Sequence, residues 1–262
     1  MRNAEFGARS FLNIFFTVAA MFMLVVPVSA AEMTGQDIAE KFDNREQPKT
    51  MTAEMTMNLI DKKDNTRSRK TKTIRIGEEK MLMWFLSPAD VRGVSFLRKS
   101  YDDSDDDMWI YLPAFGKVRR IASHAKGGNF MGTDFTYEDM GERKIKDYTY
   151  NRLKDEKIDD KDYYVIEWIP KEGVDTDYSK IVSWMWKDEY QPVIEEFYDK
   201  SGEKRKVKKM EVEKKGKYWL PVSMLMEDIK NNHKTELVFE KIEVDTEVKD
   251  SVFTTSYMKR VR

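Results

Sequence analysis

The sequence predicts a mainly β (α+β) fold, one large curved antiparallel sheet with a single N-terminal helix, and three observations carry that expectation. Roughly 11 or 12 segments between residues 50 and 245 alternate apolar and polar side chains or read as short buried strands. Polar turn signals such as "KDEYQ", "DKSGE" and "KNNHK" separate them at hairpin spacing. One segment with clear helical spacing stands ahead of them all.

That helix is expected over "TGQDIAEKFDNRE", Thr34 to Glu46. Thr34 can cap it, Asp37 favours the positive helix end, and Ile38 and Phe42 share a face. In "MTAEMTMNL", Met51, Ala53, Met55, Met57 and Leu59 point one way, and the threonines, Glu54 and Asn58 the other. "DKKDN" turns the chain into "RSRKTKTIRI", a polar strand exposed on at least one side. "KMLMWFL", Lys80 to Leu86, is apolar on both faces and should be covered twice or line a cavity. "RGVSFLRK", "DMWIYLP" and "KVRRI" continue the pattern. Period two then fades between Ser123 and Tyr150, where "TYEDM" could form one helical turn. Strand signals resume with "YYVIEWIP", "KIVSWMW", "PVIEEFYD", "KRKVKKMEV", "YWLPVSMLMED" and "KTELVFEKIEV", and Pro221 suggests an edge or a bulge. The expected helix covers only part of the apolar sheet face. An under-covered concave face is a potential ligand site.

Residues 1–30 read as a cleaved secretory signal peptide: Arg2 and Arg9, an apolar run from Phe11 to Val28, then "VSAA" with cleavage expected after Ala30. The competing reading is a membrane anchor, since the run is long enough to span. Residues 31–262 are then expected to form a single domain. The chain has no cysteine, which excludes disulfides and thiolate metal sites. With 46 basic and 47 acidic residues there is no footprint for nucleic-acid binding. "KRKVKK", Lys204 to Lys209, is expected on a solvated strand face, with anionic headgroup contact as the lesser reading.

No motif for catalysis emerges. "DDSDDD", Asp102 to Asp107, reads first as a solvated turn and second as a calcium ligand set, but it lacks the spacing of a helix–loop–helix calcium site. The two histidines, His124 and His233, do not form a zinc-spaced pair. A site from His124, Asp134 and Glu138 is conceivable, but nothing in the spacing singles it out, and no nucleophile elbow is present. "KGGNFMG" lacks the lysine and hydroxyl of a phosphate loop, so its glycines point to tight turns. The segment "GGNFMGTDFTYEDM", Gly127 to Met140, therefore reads as a lid or plug over the sheet, or as packing without a ligand. The 17 methionines and six tryptophans supply soft and broad apolar surface, either as ordinary core or as the wall of an acyl-chain cavity. Burying a 16-carbon chain is worth roughly 12 kcal/mol gross at about 0.8 kcal/mol per methylene, close to what the chain loses on leaving a bilayer.

"ADVRGVSFL" (Ala89 to Leu97), "DMWIYLPAFGKVRRI" (Asp107 to Ile121), "GNFMGTDFTYEDM" (Gly128 to Met140) and "WKDEYQPVIEEFYDKSG" (Trp186 to Gly202) resemble the outer membrane lipoprotein-sorting protein family, divergent relatives of the LolA and LolB periplasmic carriers. The resemblance implies an unclosed antiparallel β-barrel of about 11 strands over a helical or loop lid. It also implies a non-enzymatic periplasmic function without cofactors: holding acyl chains of lipoproteins or lipids in transit toward the outer membrane. It implies an inner-membrane transporter and an outer-membrane acceptor as partners, transient membrane contact and a monomer. The alternative is an adaptor for a lipid-exporting membrane pump. Candidate cavity or lid residues are Trp84, Phe96, Trp109, Tyr111 and Trp184 from strands, and Phe130, Met131 and Phe135 from the central segment. The sequence assigns none of them to a face.

Overall fold

The computed structural model describes residues 32–260, and residues 33–260 fall in one compact unit. The segment read as a signal peptide lies outside the described residues. Helix α1 (Gly35–Asp43) ends three residues before the expected Glu46 and is capped by Asn44, whose side chain donates to the Glu40 carbonyl. Its expected cap is present in reciprocal form. The Thr34 hydroxyl accepts from the Asp37 N–H, and the Asp37 carboxylate accepts from the Thr34 N–H.

Among the described residues, fourteen strands form one antiparallel sheet. In chain order they are β1 (Thr50–Ile60), β2 (Thr66–Ile76), β3 (Lys80–Ser87), β4 (Ser95–Tyr101), β5 (Ser104–Leu112), β6 (Lys117–Arg120), β7 (Tyr148–Arg152), β8 (Glu156–Ile158), β9 (Lys161–Pro170), β10 (Tyr178–Trp186), β11 (Gln191–Asp199), β12 (Lys204–Lys215), β13 (Tyr218–Asp228) and β14 (His233–Val244). The two strands beyond the expected dozen are β7 and β8, which are too short to show a period. The spatial order is β6-β5-β4-β3-β2-β1-β14-β13-β12-β11-β10-β9-β7, with β8 also on β9. Two meanders are thus joined by β1 pairing with β14, and the sheet stays open, with β6 and β7 as its end strands. The 121–147 connection between those end strands fills the concave side.

Strand β1 buries every second residue from Met51 to Leu59, as the alternation required. Strand β3 is buried on both faces. Met81, Met83 and Phe85 join the main core on the concave side. Leu82 and Trp84 join a second cluster with Phe253 and Met258 on the convex side. That second cluster is roofed by the residues after β14: Trp84 Nε1 and Ser95 Oγ both donate to the Met258 carbonyl, at 3.2 and 2.6 Å. Pro221 sits in an interior strand yet costs no ladder bond. β14 pairs with β13 only from Ser223 onward, and the β12 register shifts beside the proline.

α1 lies on β7 and β9. Gly35 is required there, because a Cβ would stand 3.0 Å from Tyr150 Cβ and 3.1 Å from the Arg152 nitrogen. Ile38 and Ala39 are fully buried, and Phe42 meets Trp168 edge-on at 6.0 Å.

Candidate functional site

The central segment is a plug, and its local chemistry explains its shape. The Phe130 N–H donates to the Phe135 carbonyl at 2.7 Å, and Asn129 bridges Thr136. Between them Met131 and Gly132 both take positive φ, 51° and 74°, so the second residue favours glycine. Thr136 and Asp139 cap each other, each side chain accepting from the other's N–H. Phe130 is fully buried and packs against Phe96 at 5.1 Å, Tyr137 at 5.5 Å and Phe85 at 6.1 Å.

Each acid of the plug fastens it to a different wall. Asp134 accepts from Thr235 Oγ1 at 2.7 Å and contacts His233 Nδ1 at 2.8 Å, both on β14. Glu138 accepts from Thr176 Oγ1 and, at 3.1 Å, from the Asp177 N–H, just before β10. Asp139 meets Lys206 Nζ of β12 at 3.0 Å and accepts from the Tyr178 hydroxyl of β10 at 2.7 Å. Burial alone would raise Asp139, but Lys206, the Thr136 N–H and Tyr178 hold it below the ordinary carboxylate range. Burial, with the Asp139 and Asp177 carboxylates adding to it, moves Glu138 the other way, upward. Further along, Arg143 Nη1 lies 2.5 Å from Glu195 of β11, which also pairs with Lys208. Against its own burial, Glu195 is held far below the carboxylate range by those two cations. On β2, Arg69 donates to the Met131 carbonyl at 2.6 Å.

His124 is exposed, Asp134 belongs to His233, and Glu138 to Thr176, so the conceivable three-residue site does not assemble. Among the described residues, no group of three or more His, Asp or Glu is placed to hold a metal ion. The acidic run is not a uniformly solvated turn. Asp103 is exposed, whereas Asp106 is buried between Arg98 and Lys144 at 3.7 and 3.9 Å. The basic run is corrected likewise. Lys206 is buried to 1 % exposure against the plug, because the strand's alternation turns it to the concave side.

Between plug and sheet lies a cavity of 230 Å³, lined by Met51, Met55, Met81, Met83, Met140, Met224 and Met226 together with Phe135, Phe197, Leu237 and Phe239. A second cavity of 210 Å³ adjoins it, sharing Met51, Arg75, Glu78, Lys208 and Met224, and reaches Phe42 and Arg45 at the end of α1. Of the eight residues singled out in the sequence, Phe135 lines the first cavity. Phe130, from the plug itself, packs into the core against Phe96, and Met131 flanks that core. Trp84, Trp109 and Tyr111 lie in the convex cluster under the C-terminal segment. Trp184, between inward Ser183 and Met185, reaches Glu156 with its Nε1 at 3.0 Å. The inward charges Arg98, Asp106, Glu195 and Lys206 were missed. The available signal was parity: Arg98 stands two residues after Phe96, Asp106 two before Met108, and Glu195 two before Phe197.

A family model described as "-like: Uncharacterized protein" matches residues 77–260. Among solved structures, a candidate outer membrane lipoprotein-sorting protein domain from Vibrio parahaemolyticus is 34 % identical, with a TM-score of 0.80 over 86 % of this chain and 98 % of that one. A DUF1329 family protein from Desulfovibrio piger is 29 % identical, with a TM-score of 0.82 over 86 % and 97 %. A LolA superfamily protein from Nitrosomonas europaea shares the fold, with a TM-score of 0.69 at 23 % identity over 86 % and 99 %. No curated protein matches the sequence.

Proposed function

The chain belongs to the family of the Vibrio outer membrane lipoprotein-sorting domain, and from that membership we propose that it is a non-enzymatic periplasmic carrier. In this reading it holds acyl chains of lipoproteins or lipids between sheet and plug for transfer toward the outer membrane. The observation that carries the reading is the pair of adjoining cavities with their methionine-rich wall. Methionine is unbranched and polarizable, so such a wall adapts to a flexible chain that presents no fixed shape. Each cavity is smaller than the roughly 300–1,000 Å³ usual for ligand sites. In this reading the plug shifts on loading, so that the two adjoining spaces open into one. Its fastenings suit that step, because Asp134, Glu138 and Asp139 hold it through polar contacts that water can replace. An inner-membrane transporter as donor and an outer-membrane acceptor complete the proposal.

The test is native mass spectrometry of protein purified from the periplasm without detergent, with lipid extraction. Wild type is expected to carry acyl-bearing cargo at defined stoichiometry. Phe135→Asp, which puts a charge on the cavity wall, is expected to fold and lose it. A cargo-free wild type that also takes up no lipoprotein or phospholipid when offered would refute the carrier.

A further inference from the structure

The two cavities meet at a mouth whose charges do not balance. Arg75 and Glu78 line both cavities, Arg98 lines the inner one and Arg45 the outer. Glu78 is the carboxylate those three guanidiniums share: Arg75 pairs with it directly and Arg98 stands 3.8 Å away. Arg45 donates to the Phe42 carbonyl at 2.6 Å and lies over the Phe42 ring at 4.0 Å. Among the described residues it has no carboxylate within ion-pair distance. Lys208, on the facing wall of both cavities, shares Glu195 with Arg143. Of the other acids nearby, Asp139 pairs with Lys206 and Glu46 with Lys217, while Asp106, shared with Lys144, and Glu142 also act on Arg98, so the excess of cations centres on Arg45, Arg75 and Lys208.

A second observation is independent of this count. Arg98 has a side chain only 3 % exposed, and its Nη atoms are used by Ser100 Oγ and the Glu78 carbonyl. Its Nε is buried without a partner in the wall of the cavity. Thr73 Oγ1 in the same wall and Gln191 Oε1 in the adjoining one are likewise buried and unpartnered. Buried polar groups are normally satisfied, and a cation's unsatisfied donor is costly, so these side chains gain by turning toward a polar ligand that enters the adjoining cavities. The electrostatics agree. Burial, against the Glu78 and Asp43 carboxylates and with Arg75 adding to it, pulls Arg45 down to about 10. Against its own desolvation, Glu78 is held below the carboxylate range by Arg75, Arg98 and Arg45.

We propose that this mouth binds the anionic head, carboxylate or phosphate, of an acyl ligand whose tail occupies the methionine-lined cavity. The proposal rests on the carrier reading and narrows it. Guanidiniums in a fork geometry match either oxyanion, and Lys208 supplies a point charge opposite. The acylated end of a lipoprotein carries esters and amides but no such anion, so the site favours a free acidic amphiphile.

The test is calorimetric binding of dodecanoate, dodecyl phosphate and uncharged dodecanol to wild type and Arg45→Gln, below the aggregation threshold of each ligand. Wild type should prefer the better anion over dodecanol by about ten-fold, a preference that shrinks as salt rises. Arg45→Gln should lose most of that preference while its affinity for dodecanol is unchanged, which also reports an intact cavity. The tighter of the two anions names the head. Equal affinity for dodecanol and both anions would overturn the anionic head and leave the carrier standing. Competition by inorganic phosphate as strong as by dodecyl phosphate would assign the mouth to a free anion and overturn the lipid. No binding of any amphiphile would overturn both readings.

Discussion

Replacing Lys206 by methionine tests whether the plug is held by a buried ion pair. Lys206 Nζ and Asp139 Oδ2 are 3.0 Å apart, with side chains 1 % and 5 % exposed. At an effective dielectric of about 20, that separation is worth about 5 kcal/mol of attraction. Desolvating the two ions costs several kcal/mol each, so the intact pair contributes little net stability. Removing one partner is different. Asp139 would keep the Tyr178 hydroxyl and the Thr136 N–H but no cation, and its desolvation would stand unopposed. The expected loss is about 3–5 kcal/mol in chemical denaturation. Amide exchange should quicken selectively over residues 128–140. The double variant Lys206→Met, Asp139→Asn should recover at least half of the loss, since neither charge is then stranded. The pH dependence has a definite sign. Asp139 is held below its ordinary value when folded, so its contribution is present above the unfolded carboxylate value of about 3.9 and disappears as pH falls below it. Wild type should lose plug protection on acidification, and Asp139→Asn should lack that component. A single-variant cost under about 1 kcal/mol, or a double variant as unstable as the two singles combined, would refute the latch.

Three further outcomes are expected. Trp84→Ala should cost about 3–5 kcal/mol by thermal denaturation while leaving ligand affinity intact, because Trp84 packs under the C-terminal segment on the convex face; weakened binding in the folded variant would show that the two faces are coupled. Gly35→Ala should destabilise by about 1–3 kcal/mol despite alanine's better helix propensity, since the new Cβ meets the β7 backbone; a raised Tm would show that α1 moves off the sheet at no cost. Thr34→Ala should cost about 1 kcal/mol through loss of the reciprocal cap, read as a lowered denaturation midpoint.

The local architecture was legible in the sequence because it rests on short-range chemistry. Met51 to Leu59 alternate, Thr34 and Asp37 cap a helix, and "KMLMWFL" is apolar on both sides. Each pattern is complete within about ten residues. The short β7 and β8 were not legible, since five and three residues carry no measurable period. The site was legible only in outline. A glycine-flanked aromatic segment over an under-covered sheet announced a plug. The roles of its acids depend on partners 38 to 101 positions away in the chain, Thr235 and Tyr178 among them.

Alternation by itself determined which residues share a face of each strand, and composition determined that no thiolate or disulfide chemistry is available. Only the tertiary structure decided which face is concave. Trp84 and Met83 are neighbours of equal apolarity, and one faces the C-terminal segment while the other faces the cavity. The deciding interactions are the β1–β14 pairing that joins the two meanders and the return of Val252 to Met258 across β3 to β5. Both are contacts between distant parts of the chain, and the period of a strand is the same whichever side they cover.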